Sequence, residues 1–79
     1  MRDSIPSLKP RELVRILEKA GCTCLREGKG DHKLYQRYHE GKRRIVPIDM
    51  GAGELSPPYV LRILRQFGFA SNEISELVR

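Results

Sequence analysis

Leu13, Ile16, Leu17 and Ala20 recur at the i, i+3, i+4, i+7 spacing of one buried helical face. Pro10 suits the first turn of that helix, Glu12 places a carboxylate at the positive end of its dipole, and Gly21 marks its stop. The period then changes. Cys22 to Glu27, the segment beginning at His32, and Arg43 to Ile48 read as strands, with turn chemistry for a hairpin at His39-Glu40-Gly41-Lys42. Pro47 falls near the end of its strand, where a missing N–H is tolerated. The small residues Gly51-Ala52-Gly53 lead to a second helix, capped by Ser56 and opened by Pro57 and Pro58. Val60, Ile63, Leu64 and Phe67 give it an apolar stripe and Gly68 ends it. Ser71 is expected to cap a short last helix carrying Ile74, Leu77 and Val78.

This order is α-β-β-β-α with a turn or two of extra helix. It predicts an α+β fold in which helices cover one face of a three-stranded antiparallel sheet and leave the other face open. The 79 residues make one domain, with residues 1–7 expected to be flexible, and the 39% hydrophobic content suffices for one small core. The two main helices share a pattern: Leu8, Pro10, Arg15-Ile16-Leu17 and Gly21 recur as Leu55, Pro57, Arg62-Ile63-Leu64 and Gly68 at identical spacing. The repeat is too short to indicate duplication.

Alternation along the second strand separates His32, Leu34, Gln36 and Tyr38 from Lys33, Tyr35 and Arg37. With Leu34 facing the helices, Lys33, Tyr35 and Arg37 form a basic-aromatic strip on the open face. His32 then lies on the helix-facing side, at the sheet edge beside the loop. Tyr35 and Tyr38 fit either ordinary amphipathic packing or stacking on bases.

Charge sharpens this picture. Fifteen Lys and Arg stand against ten Asp and Glu, and residues 26–44 alone hold seven basic and three acidic side chains. A basic stretch concentrated on one sheet and its loops points to a polyanionic partner, most simply nucleic acid, although such residues also serve as plain solvating surface. Cys22 and Cys24, the only cysteines, fit packed or half-buried thiols in a reducing cytosol. A zinc site would need two more clustered ligands, and only His32 and His39 are available as histidines. No apolar run approaches the roughly 18 residues of a membrane span, which makes a cytosolic protein the expectation.

His32 carries the candidate chemistry. It follows Gly28-Lys29-Gly30-Asp31 and opens a strand, where a side chain is held firmly yet stays reachable. Imidazole, with an unperturbed pKa of about 6.5, both accepts and donates protons near neutrality. Lys29, Lys33 and Arg37 flank it with charge that suits a phosphodiester. A lone histidine is also often a merely solvated residue, and His39 in the hairpin turn reads that way.

Taken together, the segments resemble the HicA family, the mRNA-cleaving halves of HicA–HicB toxin–antitoxin pairs. Leu8 through Gly21 looks like that family's opening helix, and Lys29-Gly30-Asp31-His32 is similar to its Lys-Gly-Ser-His signature. Ile45-Val46-Pro47, Glu54-Leu55-Ser56-Pro57 and Leu61 through Gly68 resemble its Val-Pro strand and closing helix. Four pieces in order make the resemblance specific, although each alone is common. The chain departs from the pattern at Asp31, Lys33, Asp49 and Gly53-Glu54, where the family has Ser or Thr, a frequent His, a frequent His, and Gly-Lys-Glu.

The resemblance implies a fold like a double-stranded-RNA-binding domain, catalysis by His32 without metal or organic cofactor, mRNA as substrate, and a HicB-like antitoxin as protein partner. On this reading His32 withdraws a ribose 2′-OH proton, and the oxygen attacks phosphorus to leave a 2′,3′-cyclic phosphate. Lys29, Gly30, Lys33, Tyr35 and Arg37 form the expected substrate-binding set, its cations stabilising the phosphoryl oxygens. The leaving-group acid is open between Tyr35 and a water. Two other readings stand beside it. One is a non-catalytic RNA-binding module of the same fold, favoured by the negative charge of Asp31. The other is a metal-dependent nuclease using Asp31, His32 and Asp49.

Overall fold

Glu12 turns back at the start of the first helix, its Oε1 accepting the Lys9 N–H at 2.8 Å. The helix, α1, runs over Pro10–Lys19 with Leu13 and Leu17 fully buried, and Gly21 leaves it at φ +96°. These details come from a computed structural model, which describes residues 5–79. The expectation of a flexible leader falls partly on residues 1–4, outside the described residues; Ile5 packs against the core.

Three antiparallel strands follow in spatial order β1-β2-β3: Thr23–Glu27 (β1), His32–His39 (β2) and Lys42–Asp49 (β3). The β2–β3 turn is the two residues Glu40 and Gly41, at φ 52° and 78°, the doubly left-handed turn that matches the twist of a hairpin. It pairs His39 with Lys42 and, stepping back, Tyr35 with Val46 and His32 with Asp49. Between β1 and β2 the register shifts at Leu25, between Cys24 and Arg26. Pro47 lies on β3, an edge strand, where its missing N–H costs little.

Helices α2 (Pro57–Gln66) and α3 (Ser71–Leu77) complete an α-β-β-β-α order with one helix added, the dsRBD-like α+β fold. Ser56 is the N-cap residue of α2, but its hydroxyl makes no capping bond. Ser71 is the first residue of α3 and not its cap: Ala70 holds that place, its N–H donating to Glu73 Oε1 at 2.7 Å.

The core joins Leu13 and Leu17 to Tyr35, Val46 and Ile48 of the sheet, to Val60, Ile63 and Leu64 of α2, and to Phe67 at the C-cap of that helix. Phe67 is fully enclosed, so truncation to Ala would cost about 3–5 kcal/mol. This core reverses the expected faces of β2. Tyr35 is 3% exposed and points to the helices, while Leu34 lies on the open face. The hairpin register decides this, because it sets Tyr35 beside Val46, and Val46 and Ile48 are the buried positions of β3.

The open face therefore carries the cross-strand pairs His32/Asp49, Leu34/Pro47, Gln36/Ile45 and Tyr38/Arg43. Gln36 Nε2 donates to Thr23 Oγ1 at 3.3 Å across the neighbouring strand. No helix among the described residues is long and apolar enough to cross a membrane.

Candidate functional site

The His32 corner is built by two loops that meet at the end of the sheet. Between β1 and β2 the chain turns through residues 28–31, with Gly30 at φ +63°, a conformation that favours glycine. The Gly28 N–H donates to the His32 carbonyl at 2.8 Å, and the His32 N–H donates to the Lys29 carbonyl at 3.2 Å. Both backbone groups of His32 are thereby fixed while the residue stays exposed. That combination allows an imidazole to meet a substrate in a defined place.

The second loop follows β3. Its Met50 N–H donates to the Asp31 carbonyl at 2.8 Å, and the Gly51 N–H donates to Asp49 Oδ1 at 2.9 Å. Asp31 lies directly against Gly51, where a Cβ would come within 2.5 Å of Asp31 Oδ2 and 2.9 Å of Asp31 Cβ. Glycine at position 51 thus permits the two loops to touch. Asp49 is the cross-strand partner of His32. Asp31, His32 and Asp49 share this corner, yet no group of three His, Cys, Asp or Glu side chains among the described residues is arranged to hold a metal ion.

The expected substrate-binding residues divide. Lys29 and Gly30 are exposed in the loop that holds His32. Lys33 is half-buried, on the helix-facing side of β2, and pairs with Glu27 of β1. Tyr35 belongs to the core, where burial first, and then Cys24 and Glu18, raise the pKa of its phenol. Arg37 is engaged elsewhere: its Nη1 donates to the Phe67 carbonyl at 2.8 Å, and its guanidinium lies 3.9 Å from the Phe69 ring centroid. The basic-aromatic strip of Lys33, Tyr35 and Arg37 is therefore not on the open face, because Tyr35 fills the core and its alternate neighbours share its side.

Two further basic residues, Lys9 and Arg11, are set against the loop after β3 by the fold. Leu8 and Leu55 form an antiparallel bridge, N–H to carbonyl at 3.1 Å one way and 2.6 Å the other. The bridge ties the segment before α1 to the loop after β3, and a cavity of about 300 Å³ between them is lined by Lys9, Pro10, Arg11, Met50, Ala52 and Gly53. Lys9 and Arg11 were not singled out by the charge pattern, which peaks between residues 26 and 44. The signal for them was the repeated Leu-x-Pro at Leu8 and Leu55, the two residues that pair.

The thiols are free, Cys22 buried and Cys24 exposed. Burial pushes the Cys22 thiol up to about 11, against a smaller downward pull from Arg37.

A comparison with family models matches residues 10–69 to a family described as the HicA toxin of bacterial toxin–antitoxin systems. No curated protein and no solved structure matches the chain.

Proposed function

The chain belongs to the HicA toxin family of bacterial toxin–antitoxin systems, and on that footing we propose that it is a ribonuclease acting on mRNA in the cytoplasm, with His32 as its single catalytic histidine. The observation that carries the reading is His32 itself, exposed at a sheet corner with its backbone N–H and carbonyl both bonded within one tight loop. His32 takes the proton from a ribose 2′-OH. The 2′ oxygen attacks the adjacent phosphorus, the P–O5′ bond breaks, and a 2′,3′-cyclic phosphate and a 5′-hydroxyl remain. General base help of this kind contributes roughly 10²–10⁴-fold. Lys29, exposed in the same loop, supports the charge developing on the phosphoryl oxygens. Because Tyr35 is in the core, water is the remaining candidate for protonating the leaving oxygen.

Neutralisation follows from the same exposure. A HicB-like antitoxin silences the enzyme by covering His32, and an acidic surface on it complements the exposed cations around the corner. Incubating the purified protein with RNA, with and without EDTA, tests the chemistry. Cleavage that survives EDTA and yields cyclic phosphate ends supports it. Binding without cleavage supports a non-catalytic module, and cleavage abolished by EDTA supports a metal-dependent nuclease.

A further inference from the structure

We infer that the cavity between the start of α1 and the loop after β3 is a second RNA subsite, holding the sugar-phosphate of a nucleotide that flanks the cleaved bond. The inference rests on the reading that His32 acts on RNA. The cavity's volume, about 300 Å³, is at the small end of ligand pockets, which run to roughly 300–1,000 Å³. Its walls combine the apolar surfaces of Pro10, Met50 and Ala52 with two cationic side chains, Lys9 and Arg11, and no acidic residue lines it. Both cations are exposed, and among the described residues neither is in an ion pair. The nearby carboxylate of Glu12 is held on the Lys9 backbone N–H.

The cavity adjoins the loop that meets the His32 corner. Met50 lines it, and the Met50 N–H is bonded to the carbonyl of Asp31, the residue before His32. One strand of RNA lying across the corner therefore passes from His32 and Lys29 onto the Lys9–Arg11 wall. The arrangement also answers a deficit in the corner. Arg37 is bonded at the α2 C-terminus and Lys33 lies on the helix-facing side of β2, so these two cations of the His32 strand do not share the face of His32. Lys9 and Arg11 supply that charge from a different element, brought in by the Leu8–Leu55 bridge. Phosphate contacts fix register along the strand and carry little sequence information. The subsite accordingly raises affinity without selecting a base.

The test uses the His32→Ala protein, so that RNA stays intact, and follows the anisotropy of a labelled single-stranded RNA oligonucleotide between 50 and 200 mM salt. Each phosphate contact to a single strand contributes about 0.7 to the log–log salt slope. Adding Lys9→Gln with Arg11→Gln should reduce the slope by about 1.4, so that the variant loses about sevenfold less affinity than its parent across that range. A control pair, Arg62→Gln with Arg65→Gln on the exposed side of α2, should leave the slope in place. Circular dichroism confirms that each protein is folded. An unchanged slope in the Lys9/Arg11 variant, with the parent binding RNA, overturns the subsite and leaves the ribonuclease reading intact. An equal reduction in the control pair overturns it as well. A parent that does not bind RNA overturns the reading and the inference together.

Discussion

Strand β2 begins and ends on a histidine, and the two ends use similar residues in opposite ways. At the first end His32 is exposed, its backbone bonded within a loop, with Lys29 exposed in the same loop. At the other end His39 is packed so closely on Gly68 that a Cβ there would lie 2.9 Å from its Cδ2. Arg37 and Arg44 face each other directly across β2 and β3, a pairing of like charges that is unfavourable alone. Both are drawn to the C-terminal end of α2: Arg37 bonds the Phe67 carbonyl, and the Arg44 guanidinium would lie 3.0 Å from a Cβ at Gly68. The negative end of a helix dipole favours such cations. Position in the fold, and not residue type, separates the proposed base from scaffolding here. Arg37, whose Nη1 is held by the Phe67 carbonyl while its guanidinium packs on Phe69, is less available to a phosphate than an exposed loop lysine.

Replacing each histidine breaks or upholds this contrast most directly. His32→Ala should lower RNA cleavage by about 10²–10⁴-fold with an unchanged circular dichroism spectrum, whereas His39→Ala should cleave at close to the parent rate. A folded, fully active His32→Ala protein removes the proposed base. Gly51→Ala probes the same end indirectly. Its new Cβ must displace Asp31 and with it the start of β2, so cleavage should fall by up to about a hundredfold. Cleavage at the parent rate would show that the contact between the two loops does not position His32.

At the opposite end the expected effect is on stability. Arg37→Ala loses a charged hydrogen bond and a cation–π contact, together about 2–3 kcal/mol. For a domain of this size that lowers the melting temperature by about 10–20 °C. Activity per folded molecule should persist at temperatures well below the transition. A variant that melts like the parent but cleaves poorly would return Arg37 to the substrate-binding set.

The smallest effect concerns Cys22. Its folded thiol titrates near 11 against an ordinary 9.0, because burial disfavours the thiolate. The stabilisation is fully present below pH 9 and is lost as pH rises through 11. Urea midpoints should therefore fall between those pH values more in the parent than in Cys22→Ala. At pH 8 a thiol reagent should modify Cys24 quickly and Cys22 only on unfolding, and two fast thiols would contradict the burial.

Much of the architecture was legible in the chain because it rests on local rules. Helix starts at Pro10 and Pro57, stops at Gly21 and Gly68, and the Glu40-Gly41 turn depend on backbone preferences a few residues wide. The apolar stripe of α2 is buried at every expected position. The exposed corner of His32 also follows from its place after Gly28-Lys29-Gly30. The cap of α3 falls one residue early, on Ala70 and not Ser71, and the face of β2 is reversed, because alternation yields a period without a sign. Leu34 and Tyr35 both qualified as the inward residue, and preference for the aliphatic one reversed the strand. The register was within reach, since a two-residue turn pairs His39 with Lys42 and brings Tyr35 opposite Val46.

What the chain determined alone was the sequence of elements, their ends, and one histidine held at a strand start. What only the tertiary structure decided was which cations are drawn into contacts within the fold. Arg37 is turned to the helix-facing side by the hairpin register and bonded to a carbonyl 30 residues away, and Lys9 and Arg11 are set beside the loop after β3 by a bridge between Leu8 and Leu55. Such contacts join residues distant in the chain, and neither periodicity nor local charge density carries information about them.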